Sequence, residues 1–516
     1  MELAAKIIVL LACAVNFEVQ ILYFVHMIQL TTYRPERFNA WCRENFGRVF
    51  SPKRYVLPAV VVAAGFAGAQ VWTQFLSAGI LLMCALINRP QKAKKKLVFT
   101  ARIKRLLVTV NLFLAASLLA AYFSTPSAML WLIGLFSMPI VIWALVANIL
   151  NQPIERAVQN YYINDAKKLL KQMPDMTIIG ITGSYGKTST KNYLTALLAT
   201  RYNVLMTPES YNTPMGVVRT IREKMKPSHQ IFVCEMGACR VGEIKEICDI
   251  VHPHYGLLTS IGEQHLETFG SVQNIINTKF ELADALPQDG ILFANEDNEF
   301  IREHPIAVKR IGYTVEGRET DYVASGFSAN GDGCGFTITT PTGESRRFTT
   351  KLLGAHNIQN LAGCIAVAHT LGIPLEELVY PVRMLKPVEH RLQLLPNGFI
   401  DDAFNSNPAG FRAALDVLRM FKEERVLVTP GMVELGELQY ERNRELGEYA
   451  ADCCDLAILV GERQAPPLKD GLLVGGFPEE KIHVVNSLNE GLDLLKTMPA
   501  EGKRTVLLEN DLPDTY

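Results

Sequence analysis

Residues able to handle a polyphosphate stand together just after Thr177. The apolar run Thr177-Ile178-Ile179-Gly180-Ile181-Thr182 is followed by Gly183-Ser184-Tyr185-Gly186-Lys187-Thr188-Ser189-Thr190. A strand passing through glycines into a helix aims backbone N–H groups and the positive helix end at one point, an arrangement that suits phosphate. In that geometry Gly183, Ser184, Gly186 and Ser189 line the turn. Lys187 reaches the β- and γ-phosphates, and the Thr188 hydroxyl joins a Mg²⁺ shell. The general pattern wants a glycine five residues before Gly186; this chain has Ile181 there, flanked by Gly180 and Gly183. A capping turn is the plainer reading of a bare Gly-Lys-Thr, but the strand before it and the helix after it favour a nucleotide. Glu235 closes another apolar run, where a strand would deliver its carboxylate to the same crevice. Hard Mg²⁺ takes oxygen ligands, so Thr188 and Glu235 are expected on one ion. The alternative for Glu235 is a carboxylate at a helix start.

The elements that must position these groups alternate. Short apolar runs at 177–182, 203–207, 230–235, 255–260 and 290–294 are separated mostly by helical stretches, the pattern of a largely parallel α/β sheet covered by helices. Residues 321–353 read as short β pieces, with Gly331-Asp332-Gly333 as turn chemistry. A helical pair follows over 356–384, and Pro387 starts a boundary. Strands return at 399–402, 425–429, 456–460, 481–485 and 505–508, a second, Rossmann-like α/β unit.

The chain has 516 residues, with 51 Lys and Arg against 52 Asp and Glu. That balance gives no polycationic reason to expect nucleic acid as a partner. Hydrophobic residues make up 49% of the chain, and their surplus lies at the amino end. Residues 3–30 are mostly apolar, interrupted by Lys6, Glu18 and His26, and no charge occurs over 55–88 or 106–153. A bilayer core of roughly 30 Å takes roughly 20 helical residues. Residues 31–54 carry six Lys/Arg and residues 89–106 carry eight, including Lys94-Lys95-Lys96. Both segments are therefore assigned to the cytoplasm, with an even number of crossings between them. The expectation is a multi-pass transmembrane region of about five helices over 1–153, turning at Ser124-Thr125-Pro126-Ser127. A cytosolic linker helix over 154–176, a central domain over 177–387 and a C-terminal domain over 388–516 complete the plan. No A-x-A-type site follows the first segment, so it reads as retained rather than cleaved. The ten cysteines contain no C-x-x-C pair, consistent with a reducing compartment for the soluble part.

From here the chain resembles a known family. Gly180-x-x-Gly183-x-x-Gly186-Lys187-Thr188-Ser189-Thr190 is similar to the ATP loop of the Mur ligases, which form amide bonds in cell-wall precursors. Matching segments follow in the same order: Asn212-Thr213-Pro214-Met215-Gly216, Glu235-Met236-Gly237-Ala238, Thr259-Ser260-Ile261-Gly262 with His265, Lys279-Phe280-Glu281 and Asn295-Glu296-Asp297-Asn298. Gly354-Ala355-His356-Asn357 with Asn360, then Arg391, then the run from Asp401 to Pro408 continue the series. That last run, with Glu434-Leu435-Gly436-Glu437, resembles the MurF branch of the family most. The resemblance covers roughly residues 177–512; where MurF members carry a uridine-nucleotide domain, this chain has its apolar region. His390 stands before Arg391 where a glycine is usual, and Pro430-Gly431 before Met432 where Gly-Asp is commoner.

The resemblance implies a ligase that uses ATP and Mg²⁺, and the apolar region makes it membrane-anchored in this reading. It would make an acyl phosphate on a cell-wall precursor and pass it to an amino acid or dipeptide; a lipid-linked muropeptide acceptor is our extension of that reading. It further implies His265 and a carbamylated Lys279 as metal ligands, and Asn295 and Asp297 near adenine or ribose. His356, Asn357 and Asn407 are nucleotide contacts by the same analogy, and Arg391 crosses to the γ-phosphate. Without it, His265 reads as structural, Lys279 as a surface lysine, and His356 and Asn357 as helix-capping residues. Glu281, off the helical face of Lys279, reads as a solvated carboxylate. Two other functions compete. An ATP-driven transporter is disfavoured, because no transport signature loop is evident and few polar groups lie inside the spans. A non-catalytic scaffold is disfavoured by the intact set Lys187, Thr188, Glu235, His265 and Lys279.

Overall fold

The computed structural model describes residues 1–89, 95–209, 211–330, 333–404, 407–499 and 502–511. The expected turn at Gly331-Asp332, the motif residues Asn405 and Ser406, and Lys94 of the basic run lie outside the described residues. Two compact units divide the chain, Met1–Asn160 and Tyr161–Leu512.

The first unit is helical. It contains α1 (Glu2–Leu30), α2 (Pro35–Glu44), α3 (Phe46–Val49), α4 (Pro52–Phe66), α5 (Val71–Ile87), α6 (Ala101–Phe123), α7 (Pro126–Ser137) and the first part of α8 (Ile140–Lys171). Three stretches among the described residues are long and apolar enough to cross a membrane: Glu2–Leu30, Phe46–Phe66 and Ala101–Phe123. The pair α7 and α8, bent by 70°, makes a fourth if it is counted as one span. Among the described residues, five helices that each reach the length and apolarity of a full crossing are therefore not found. The 17 residues of α5 reach only about 26 Å at 1.5 Å per residue. The return arm after Pro126 breaks at Pro139, whose ring cannot continue the preceding helix. Nor is there a separate linker helix: α8 runs through Pro153 and ends at Lys171. The basic end is held by Arg105, which donates to both oxygens of Glu155 at 2.6 and 2.7 Å, and by Arg102 over the Tyr33 ring at 3.9 Å.

The second unit holds two sheets. Strands β1 (Thr177–Thr182), β2 (Val204–Met206), β3 (Ile231–Glu235), β4 (Tyr255–Leu258), β5 (Ile291–Asn295), β6 (Lys309–Thr314), β7 (Tyr322–Asn330), β8 (Gly333–Thr339) and β9 (Ser345–Thr350) form the larger. Its order is β2-β3-β1-β4-β5-β6-β7-β8-β9. Pairing is parallel as far as β7, and β7–β8 and β8–β9 are antiparallel. Strands β10 (Gln393–Leu394), β11 (Phe399–Asp402), β12 (Glu424–Thr429), β13 (Leu456–Val460), β14 (Ile482–Val485) and β15 (Arg504–Glu509) form the smaller, ordered β10-β11-β15-β12-β13-β14. Only β10–β11 is antiparallel there. The expected strands fall within a residue or two of these bounds; β6 and β10 are additions.

Side chains alternate across the large sheet as a two-residue period requires. Ile179 and Ile181 of β1 enter one core with Leu194 and Leu197 of α9 (Lys187–Leu198), whereas Ile178 enters the opposite core with Phe232. Every residue of β3 is buried, as expected for a central parallel strand covered on both faces. The opposite core is closed by α10 (Pro214–Lys224), α11 (Glu243–Val251) and the segment from α12 (Leu266–Phe269) to α13 (Val272–Asp284). The end of α8 joins it through buried Ala166. Order reverses at β1, which has β3 on one side and β4 on the other. The carboxyl ends of these three strands open a crevice at that switch point, the usual place for a ligand in such sheets.

Candidate active site

The turn after β1 is built for close approach. Gly186 caps α9 with φ +80° and offers no side-chain cap, so the first amides of that helix stay available. Gly183 has φ +153°, and a Cβ there would lie 2.1 Å from Thr259 Oγ1. Ser184 exchanges hydrogen bonds with Gly262, its Oγ donating to the carbonyl at 3.0 Å and accepting from the amide at 3.1 Å. Lys187 folds back over the turn, its Nζ donating to the carbonyls of Gly183 at 2.7 Å and Ser184 at 3.0 Å. Burial lowers its ammonium to about 8; Glu235 opposes that shift and Arg391 adds to it.

Glu235 is the anion at the centre. Thr188 Oγ1 and Asn212 Nδ2 each donate to Glu235 Oε1 at 3.0 Å. Lys191, one helical turn beyond Lys187, brings its ammonium to 3.0 Å from Oε2, and both side chains are 1% exposed. Burial pushes this carboxyl up, but the neighbouring Lys191 and Lys187 charges leave it below the ordinary value. Thr188 and Glu235 together present oxygen donors suited to a hard cation. No group of three or more His, Cys, Asp or Glu able to hold a metal occurs among the described residues. This donor set fits Mg²⁺ that keeps water and phosphate oxygens, not an all-protein cage.

Lys279 on α13 is 3% exposed, and its ammonium lies 5.9 Å from the centre of the Phe269 ring. Burial, then the charge of Lys187, lowers it to about 7. It is no surface lysine. A neutral amine is the form that captures carbon dioxide, so a carbamate fits here. His265 sits with φ +55° on the loop after β4, and its Nδ1 is 2.5 Å from Glu434 Oε2. Burial lowers the imidazole, but hydrogen bonds with Cys239 and Glu434 outweigh it and raise it to about 9. A metal at this ring would bind its neutral form, so these hydrogen bonds work against metal and binding would release any proton held there. Arg391 packs 4.5 Å from the centre of the Phe404 ring. Burial lowers its guanidinium, opposed by the charges of Glu235 and Asp402.

Four other predicted contacts are occupied by the protein itself. Asn295 donates to the Thr259 carbonyl at 2.7 Å, and Asp297 accepts from the Val315 amide at 2.8 Å and from the Thr314 hydroxyl. Gln359 joins both, donating to Asn295 Oδ1 and Asp297 Oδ2 at 3.1 Å. Asn357 is the third: it accepts from Tyr193 at 2.9 Å and donates to the Leu353 carbonyl at 2.7 Å. Asn407 is the fourth, capping α17 (Pro408–Arg419) by accepting from the Gly410 amide at 2.8 Å. His356 does not cap α15 (Ala355–Thr370), whose N-cap is Gly354; its Nδ1 is buried without a partner, and burial lowers the ring to about 4. Glu281 is not a solvated carboxylate. It accepts from the amides of Gly242 at 2.6 Å and Lys245 at 2.9 Å, closing the start of α11. Sequence reasoning missed Lys191, although its four-residue spacing from Lys187 puts both on one helical face.

Family models decide the relationship. Residues 181–368 match the Mur ligase middle domain, and residues 390–508 match the Mur ligase, glutamate ligase domain. The chain belongs to the Mur ligase family. Among its relatives, the UDP-N-acetylmuramoyl-tripeptide–D-alanyl-D-alanine ligase of Bacillus subtilis (strain 168) is 31% identical over 289 residues, covering 55% of this Mur ligase and 62% of the relative. The enzyme of the same name from Escherichia coli (strain K12) is 31% identical over 302 residues, 57% of this chain and 66% of the relative. This Mur ligase thus spans just under two thirds of the length of those curated relatives. A crystal structure of MurF from Acinetobacter baumannii superposes with a TM-score of 0.63 at 27% identity, over 69% of this chain and 78% of that one. The MurF ligase of Thermotoga maritima in complex with ADP gives 0.61 at 25% identity, over 69% and 81%.

Proposed function

We propose that this Mur ligase is an ATP-dependent amide ligase of the MurF type, anchored in the cytoplasmic membrane with its α/β unit in the cytosol. One observation carries the reading. Lys191 pairs with a single buried carboxylate, Glu235, at the carboxyl ends of β1 and β3, and the charge of Lys187 acts on the same carboxylate. Lys187 and Lys279 are both depressed by burial and by a neighbouring cation, Arg391 for the first and Lys187 for the second. Such a surplus of desolvated positive charge is relieved by a polyanion. ATP is that polyanion. The substrate carboxylate attacks the γ-phosphorus, the bond to the β-phosphate oxygen breaks, and ADP leaves an acyl phosphate. The amine then adds to the acyl carbon, loses a proton, and expels phosphate to leave the amide. Lys187 and Arg391 offset the charge of the transferring group, and the amides at the start of α9 hold the triphosphate. Bound Mg²⁺, on Thr188 and Glu235, would supply further charge neutralisation. Lys279 as a carbamate and His265 are the groups for a second ion.

The amine is read as D-alanyl-D-alanine or a related amino acid or dipeptide, and the acid as a muramoyl peptide. Apolar helices in the same chain support an acceptor carried on a membrane lipid. Full-length protein in detergent, given ATP, Mg²⁺ and D-alanyl-D-alanine, is expected to release phosphate and form an amide with a polyprenyl-linked muropeptide, followed by mass spectrometry of the product. Equal turnover with the soluble UDP-linked tripeptide would remove the lipid part of the reading. Product formation unchanged by Lys187→Ala would remove the ligase.

A further inference from the structure

The loop Gly262–His265 has two faces. On one it backs the phosphate turn: Gly262 exchanges two hydrogen bonds with Ser184, and a Cβ at Gly262 would lie 2.6 Å from the Tyr185 hydroxyl. On the other it meets the half of the unit built on the smaller sheet. Arg442, on α18 (Gln439–Ala450), donates to both oxygens of Glu263 at 2.8 Å, a two-pronged contact that fixes direction as well as distance. Two residues on, His265 Nδ1 meets Glu434 at 2.5 Å, and the Glu267 amide reaches the Glu434 carbonyl at 3.5 Å. His265 and Glu434 both hold left-handed backbone, φ +55° and +64°, a conformation residues with a Cβ keep only when their surroundings impose it.

We propose that Glu434 and Arg442 are positioning residues: they clamp this loop, so that docking of the C-terminal half sets the backing of the phosphate turn and the His265 ring in one movement. Glu434 holds Nδ1 and so fixes the direction of the ring, the way a carboxylate orients a histidine. Arg442 holds the backbone two residues earlier, which prevents the loop from pivoting about the single Glu434 contact. The clamp acts late. The phosphate turn keeps its own contacts to Ser260 and the carbonyls around it, so nucleotide affinity depends little on the clamp, whereas turnover depends on it strongly.

The inference rests on the ligase reading for its turnover arm only. Hydrogen exchange of segments 262–269 and 432–438, measured on the full-length protein in detergent with Mg²⁺-ADP, tests the clamp directly. Arg442→Ala and Glu263→Gln are expected to speed exchange in both segments severalfold and leave exchange in β1 and β3 unchanged. Phosphate release should fall about tenfold or more, with ADP affinity within about threefold of wild type, a split that a general loss of folding does not produce. The reversed pair Glu263→Arg with Arg442→Glu should recover most of the protection. Glu434→Gln, which keeps an acceptor but not the charge, should lose less than Glu434→Ala. Unchanged exchange in Arg442→Ala, or a reversed pair as unprotected as either single variant, overturns the clamp. If wild type bound no ADP, the ligase reading would fail first, and the exchange results would still decide the clamp.

Discussion

At the scale of single residues, the site depends on how few charges share a small dry volume. Lys191 and Glu235 are both almost wholly buried, 3.0 Å apart. Removing one partner from such a pair leaves an uncompensated buried charge and costs about 3–5 kcal/mol, whereas removing both is far milder. Lys191→Met alone is therefore expected to lower stability by about that amount, and Lys191→Met with Glu235→Gln to regain most of it in denaturant unfolding. Equal losses in the single and double variants would show that the two side chains are not coupled. A second expectation concerns pH. Lys187 titrates near 8 when folded, against an ordinary 10.5. Between those values only the unfolded chain holds the proton, so the nucleotide-free protein gains stability as pH rises through about 8 and beyond. Phosphate binding needs the charged form, so ADP affinity should fall over the same rise, with proton uptake on binding. Calorimetry in two buffers of different ionisation heat measures that uptake; none at pH 9 would contradict it. Lys187, Thr188 and Glu235 were legible from the sequence because motif chemistry names them. Glu434 was legible only as part of a resemblance. Its partnership with His265 joins residues distant in the chain, and no local spacing encodes it.

At the scale of elements, the strand–turn–helix from β1 to α9 is the unit on which the chemistry stands. Gly183 packs so closely on Thr259 that a methyl group would sit 2.1 Å from its hydroxyl oxygen, at a φ of +153°. Gly183→Ala is expected to cost about 1–3 kcal/mol in unfolding and to abolish measurable ADP binding, because the turn must move away from β4 to make room. Retained affinity would mean the turn tolerates that shift. The alternation of apolar runs placed β1, β3, β11 and β13 nearly to the residue, since buried parallel strands are short, apolar and bounded by turn residues. Strand β6, with Lys309 and Arg310 at its start, lacks that signature and went unread. Asn357 was read as a nucleotide contact by resemblance, with a helix cap as the alternative, and Glu281 as a solvated carboxylate. The first is spent on Tyr193 and Leu353, and the second closes a helix more than thirty residues earlier in the chain, contacts that exist only once the layers have packed.

At the scale of the whole molecule, a helical unit and an α/β unit share one continuous helix, α8, whose last turns bury Ala166 in the core of the α/β unit. A chain beginning at Tyr161 retains those turns. It is expected to stay in solution without detergent and to bind ADP as the full chain does, while forming no product with a polyprenyl-linked acceptor. Loss of ADP binding would show that the α/β unit needs the helices to fold. The amino-acid sequence by itself determined the apolar first third, the α/β alternation, the phosphate turn and the family, because each is written in local composition, periodicity or motif. Tertiary structure alone decided the rest: that Lys191 completes the charge set, and that the carboxylate of Glu434 meets His265. Those outcomes depend on which distant side chains share a desolvated space. Local sequence sets what each segment can be; packing sets which charges must answer one another.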